Sequence, residues 1–228
     1  MLVKKYLSEV RRVVSPLPNI HRVTFASDKK FLFRPGQFLH LALDEYNPSM
    51  AWPDSRCFSM ESSPEDQGEV TITYSVVGGF TKRMERELEP GRKVWLKMPY
   101  GELFSGSYSR RNCVFLAGGT GVTPFLSLFR TGEFSDYENP LLFLGVRQMG
   151  FNIYGDALES ACRINPSFKI HVIDELEKGR LDVDRIISRC GRESVYFISG
   201  PPSMIGTFRE RLSNKGVPQG NIITDDWG

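Results

Sequence analysis

Val114-Phe115-Leu116-Ala117-Gly118-Gly119-Thr120-Gly121-Val122-Thr123-Pro124 has the pattern of a buried strand, a glycine-rich turn and the start of a helix. The apolar run has the length of a strand covered on both faces. Three glycines allow a sharp turn and let backbone N–H groups approach a ligand closely. Pro124 suits a first helical turn, where its missing N–H costs nothing. A helix starting there aims its unpaired N–H groups and positive dipole end at the turn, which favours a phosphate. An ordinary tight connection fits the stretch equally well, and its spacing is not G-x-G-x-x-G. The flanking sequence has to decide.

The 228 residues are 40% hydrophobic and 25% charged, enough for a sizeable core in one large or two small domains. A net charge of +2 gives no argument for nucleic acid. No apolar run approaches the roughly 20 residues that span a bilayer, and the N-terminus lacks the apolar core of a signal peptide. No membrane insertion and a cytoplasmic location are therefore expected. Cys57, Cys113, Cys162 and Cys190 are scattered, with no C-x-x-C and no iron–sulfur spacing, so they are expected to be buried thiols and no metal site is expected.

Up to about residue 100, short β-rich runs (20–25, 38–43, 70–76 and 94–98) are separated by turn signals such as Arg34-Pro35-Gly36 and Pro90-Gly91. That succession predicts an antiparallel barrel, closed or nearly so. Ser, Gly and Arg crowd together at 104–112, and the boundary is placed there, giving domains 1–106 and 107–228. Beyond it, apolar strands at 114–116, 141–146, 170–173, 196–198 and 221–224 alternate with helical segments after Pro124, Tyr154, Asp182 and Pro202. This alternation predicts a doubly wound α/β domain with a parallel sheet. Ligands in such sheets bind at the carboxyl ends of the strands, where both the opening turn and Ser199-Gly200-Pro201-Pro202 fall.

Three further stretches carry chemistry. Arg56-Cys57-Phe58-Ser59 offers a planar cationic fork and a hydroxyl, although a strand with one snorkelling arginine explains it as well. Gly78-Gly79-Phe80-Thr81 again joins a strand to a helix. There Thr81 is expected as the N-cap and the helix N-terminus as a phosphate seat. Thr224-Asp225-Asp226-Trp227-Gly228 places a tryptophan almost at the end, where termini are normally polar.

Taken together and in this order, these segments resemble the ferredoxin–NADP reductase superfamily of flavoproteins. The flavin signature Arg-x-Tyr-Ser is matched by Arg56–Ser59, and Pro-Gly-Gln-Phe by Pro35-Gly36-Gln37-Phe38. The second glycine motif is matched by Gly78–Thr81, and Gly-Gly-Thr-Gly-x-Thr-Pro by Gly118–Pro124. Cys-Gly-Pro-Pro-x-Met corresponds to Ser199-Gly200-Pro201-Pro202-Ser203-Met204.

The resemblance implies a flavin-binding barrel followed by a pyridine-nucleotide domain. Arg56 would neutralise flavin phosphate and Ser59 would hydrogen-bond the reactive N5 edge. Cys57 and Phe58 complete that motif. Tyr74, Ser75 and Val76 would lie along the ring, and Gly78, Gly79, Phe80 and Thr81 would hold phosphate. Gly118, Gly119, Thr120, Gly121, Thr123 and Pro124 would carry the nucleotide pyrophosphate. Nicotinamide would pass Gly200, Pro201, Pro202 and Met204. Trp227 resembles the terminal aromatic that covers flavin, and Asp226 an acid near the reacting centre. Two departures are Phe58 for the usual Tyr, which removes one hydrogen bond to flavin, and Ser199 for a Cys beside nicotinamide.

The implied activity is hydride transfer from NAD(P)H to FAD, with FMN the less favoured flavin, and electron delivery to a separate ferredoxin, flavodoxin or oxygenase component. An NAD(P)H:flavin reductase using free flavin is an alternative. So is a non-catalytic electron-transfer subunit of a larger complex. Asp174 and Glu175 follow the third strand of the second domain, where a carboxylate favours ribose hydroxyls over a 2′-phosphate and points to NADH. Arg147, after the second strand, and Lys178 and Arg180 point the other way.

Overall fold

The computed structural model describes residues 2–225 and divides into two units, residues 1–102 and 103–228. The division falls four residues before the expected one because Leu103 is buried in the second core and Phe104 packs against that core.

The first unit holds a six-stranded antiparallel sheet in the order β4-β3-β6-β1-β2-β5. Its strands are β1 (Lys4–Leu17), β2 (Ile20–Ala26), β3 (Phe38–Ala42), β4 (Ser55–Ser59), β5 (Glu69–Ser75) and β6 (Lys93–Tyr100). β4 and β5 are the outer strands of the ladder. Just beyond β4, Glu61 N–H donates to Thr71 O of β5 (2.8 Å), and the Thr71 N–H donates to Ser62 Oγ (3.1 Å), so the edges meet and the sheet is barrel-like. Alternation explains the core: His21, Val23 and Phe25 of β2 and Val70 and Ile72 of β5 point inward. β1 was not evident in the sequence. Its register shifts between Val10 and Arg12 and again between Val14 and Leu17, and such irregularities erase a period of two.

Helix α1 (Gly79–Glu87) follows β5 and buries Phe80 and Met84, spaced four apart on one face. Its N-cap is Gly78, not Thr81. Thr81 lies in the first turn, and its Oγ1 accepts from the N–H groups of Val77 (2.9 Å) and Gly78 (3.0 Å).

The second unit has five parallel strands in the order β11-β10-β7-β8-β9: β7 (Cys113–Gly118), β8 (Leu141–Val146), β9 (Lys169–Asp174), β10 (Val195–Ser199) and β11 (Ile222–Thr224). Its helices are α2 (Thr123–Phe129), α3 (Gly155–Ile164), α4 (Glu175–Lys178), α5 (Val183–Cys190) and α6 (Pro202–Asn214). One face of the sheet packs on α2 and α3 through an aromatic core that includes stacked Phe115 and Phe197 (5.1 Å). The other face packs on α5 and α6. Strand order reverses between β7 and β10, which are neighbours in register Ala117↔Ser199. Crevices at such switch points take ligands.

Candidate functional site

The first unit brings its motif residues together at the seam between β4 and β5. Arg56 is exposed, with its guanidinium 5.1 Å from the Phe80 ring centroid in the first turn of α1, and it is oriented by Asp54 Oδ1 (2.5 Å) and the Ser55 carbonyl (2.7 Å). Phe58 meets Tyr74 edge-on at 6.0 Å, and both are buried. Ser59 is buried at the end of β4, opposite Phe38 of β3. Ser75 pairs with Ile20, and the N–H of Val76 donates to Asn19 O (2.8 Å). Cys57 Sγ lies 3.5 Å from His40 Nε2, and burial pushes its thiol above the usual range. Burial, helped by the Glu85 carboxylate, likewise raises the Tyr74 phenol.

Gly78 has no side chain and makes no side-chain cap for α1. The first-turn N–H groups therefore have no side-chain partner at the N-cap, the condition in which a helix N-terminus receives an anion. An added Cβ at Gly78 or Gly79 would meet nothing within 4 Å, so this surface is open. Thr81 also donates to Gly78 O (3.1 Å), so its hydroxyl is committed to the turn and the seat is made of backbone. An exposed cation lying against an open, uncapped helix start suits a flavin phosphate.

In the second unit, Gly119–Val122 forms a 3-10 turn that runs directly into α2. Gly119 has φ +54, the left-handed region that favours glycine. A Cβ on Gly121 would lie 2.5 Å from Gly200 Cα and 2.6 Å from Ser199 O. A Cβ on Gly118 would lie 2.8 Å from Met204 Sδ. The two glycine turns thus touch backbone to backbone at the switch point, under the Met204 thioether. Pro201 and Pro202 are exposed where α6 begins. Thr120 is half-buried, and buried Thr123 spends its hydroxyl on Thr120 O (2.9 Å). The glycine-lined approach fits a dinucleotide pyrophosphate.

Asp174 does not offer a free carboxylate. It caps α4, with Oδ1 accepting from Leu176 N–H (2.9 Å) and Glu177 N–H (3.3 Å), and Oδ2 accepting from Met149 N–H (2.8 Å). These amides hold its acid below the ordinary carboxylate range. The next residue, Glu175, is half-buried, and its Oε1 lies 3.4 Å from where a Gly145 Cβ would be. Arg147 is exposed just past β8, and Lys178 and Arg180 are exposed at and beyond the end of α4.

Asp226 and Trp227 lie outside the described residues. Among the described residues Ser199 meets Asp225: Ser199 Oγ donates to Asp225 Oδ2 at 3.0 Å, and Asp225 N–H donates to Ile198 O at 2.8 Å, continuing β11. Among the described residues no group of three or more His, Cys, Asp or Glu is placed to hold a metal, and no helix is long and apolar enough to cross a membrane.

No family model matches the chain. Known proteins do. Methane monooxygenase component C of Methylosinus trichosporium is 32% identical over 155 residues, 67% of this chain and 44% of that protein. The reductase component, ferredoxin–NAD(P)(+), of the naphthalene 1,2-dioxygenase system of Pseudomonas putida is 27% identical over 225 residues, 93% of this chain and 66% of that one. The chain belongs to the ferredoxin–NADP reductase superfamily. Solved structures agree in fold. A cytochrome P450 reductase from Amycolatopsis superposes with TM-score 0.83 at 18% identity, covering 99% of this chain and 70% of that one. A superfamily member from Neisseria gonorrhoeae, a ferredoxin NADP+ reductase with bound FAD and NADP, gives 0.78 at 16% identity over 94% and 92%. The chain spans 44% to 66% of the length of the first curated relatives it matches.

Proposed function

We propose that this chain is a flavin-dependent reductase that takes hydride from NAD(P)H onto bound FAD and passes electrons to a separate acceptor, such as an oxygenase component, a ferredoxin or a flavodoxin. The observation that carries the reading is the contact of the Gly118–Thr123 turn with Ser199–Gly200 at the switch point of a parallel sheet, in a chain whose other unit presents Arg56 beside the open N-terminus of α1.

Flavin, when bound, supplies the capacity to take a hydride and release its electrons one at a time. The residues of the chain bind and orient. Arg56 and the first-turn amides of α1 hold phosphate, and Ser59 hydrogen-bonds the reactive flavin edge. Tyr74, Ser75 and Val76 line the ring. The Gly118–Thr123 turn seats the nucleotide pyrophosphate. Ser199, held by Asp225, stands beside the nicotinamide. With Asp174 consumed as a cap, Glu175 is the carboxylate that favours NADH over NADPH. Four free cysteines suit a reducing cytoplasm.

The absorbance spectrum of the purified full chain, before and after anaerobic NADH, tests this. Yellow protein bleached by NADH is expected; protein that binds flavin but is not bleached by either nucleotide would overturn it. A second reading, a reductase that uses free flavin as substrate, draws support from Phe58, whose ring packs on Tyr74 without the hydroxyl that a tyrosine would offer flavin. Colourless protein whose NADH oxidation saturates with added FMN or FAD would favour that reading.

A further inference from the structure

His21 occupies a core-facing position. In β2 the inward row is His21, Val23 and Phe25, and His21 is 9% exposed. An apolar residue would fill such a place without needing partners, whereas a buried imidazole must have them. His21 has three, each from a different element. Ser15 Oγ of β1 lies 2.8 Å from Nδ1, and Glu85 Oε1 of α1 lies 3.2 Å from Nε2. Tyr74 of β5, its cross-strand partner, stacks on the ring at 5.3 Å and 29°. A carboxylate only accepts, so Nε2 carries the proton donated to Glu85, while Nδ1 shares a hydrogen bond with the Ser15 hydroxyl. Ser15 is exposed and Glu85 partly so, and water would satisfy both. The bonds therefore serve to tie elements together.

What they tie is the rotation of α1. Met84 faces the core, fully buried. Residues 83 and 85 project about 100° to either side of it. On one flank Arg83 binds Asp44 through two bonds, at 2.8 and 3.2 Å. On the other flank Glu85 binds His21. An apolar stripe alone lets a short helix roll. A roll of about 20° moves its backbone atoms by about 0.8 Å, enough to spoil N–H···O geometry at the uncapped N-terminus.

We infer that His21 is a positioning residue for the flavin seat: it fixes the roll of α1, and hence the aim of its first-turn amides, against Tyr74. This rests on the reading that the first unit holds flavin. The test measures FAD affinity by flavin fluorescence, the visible circular dichroism of bound flavin, and apo-protein unfolding, for the wild type and for His21→Phe, Glu85→Ala, Glu85→Gln and the His21→Phe/Glu85→Ala double variant. His21→Phe keeps a ring on Tyr74 but loses both bonds. Glu85→Ala alters a partly exposed side chain and leaves the core intact. Each is expected to weaken FAD binding about tenfold and change the dichroism, the double variant no more than either single, as for two ends of one bond. Glu85→Gln, which keeps an accepting oxygen, is expected to behave as wild type. Single variants that bind FAD as tightly as wild type, additive losses in the double variant, or a Glu85→Gln as weak as Glu85→Ala would overturn the inference. Failure of the wild type to bind any flavin would overturn the flavin reading itself, and this inference with it.

Discussion

Gly121→Ala adds one methyl group where two turns touch. The new Cβ would stand 2.5 Å from Gly200 Cα, 2.6 Å from Ser199 O and 2.7 Å from Gly200 N. All three are backbone atoms, so no side chain can swing aside. Restoring an ordinary carbon–carbon separation of about 3.5 Å means moving one turn by about 1 Å. Overpacking of this kind costs about 1–3 kcal/mol. If the turns form the nucleotide seat, as proposed above, the same shift displaces it, and a displacement of about 1 Å can cost about 100-fold in rate. The expected result is flavin reduction by NADH slowed by about two orders of magnitude, with FAD affinity unchanged, because the proposed flavin seat belongs to the other unit. Stopped-flow reduction and a flavin titration measure the two quantities. Gly206→Ala is the control. It makes the same chemical change in the interior of α6, where a Cβ meets nothing within 4 Å, and is expected to stabilise by about 0.5–1 kcal/mol. Wild-type reduction kinetics in Gly121→Ala would refute the claim that close approach of the two turns makes the seat.

Asp174→Asn is expected to destabilise the second unit at neutral pH and to remove part of its acid sensitivity. Since the folded pKa of Asp174 is depressed, its contribution is complete above the unfolded value of about 3.9 and is lost as pH falls through the folded one, so the gap between denaturant melts at pH 7 and pH 3 should be smaller in the variant. Ser199→Cys is expected to raise the single-turnover rate of flavin reduction; an unchanged or lower rate would remove this position from the reacting centre. Wild-type protein is expected to prefer NADH in kcat/KM, and Glu175→Gln to narrow the preference about tenfold, or about 1.4 kcal/mol. An NADPH preference, or no change in the variant, would show that the carboxylate does not face the ribose.

The glycine turn, the succession of short strands and the βα alternation are local patterns, and each was legible in the sequence because backbone geometry and burial period act over a few neighbouring residues. The strands at 141–146 and the helices after Asp182 and Pro202 follow from that logic, as does the order of motifs that marks the superfamily. β1 was not legible, because two register shifts broke its alternation. Thr81 was expected as a cap and instead accepts from Val77 and Gly78; Asp174 was read as a carboxylate for ribose hydroxyls, and three amides already donate to it. Asp225 meets Ser199, a pairing across 26 residues that no local pattern announces. His21 carried a sequence signal, a polar residue in an apolar row, but its partners lie on β1, β5 and α1. By itself the sequence determined which residue types stand at which turn, and so the fold. The tertiary structure alone decided which of those groups still have an unspent hydrogen bond, because a donor or acceptor is satisfied by whatever the fold brings within about 3 Å, at any distance along the chain.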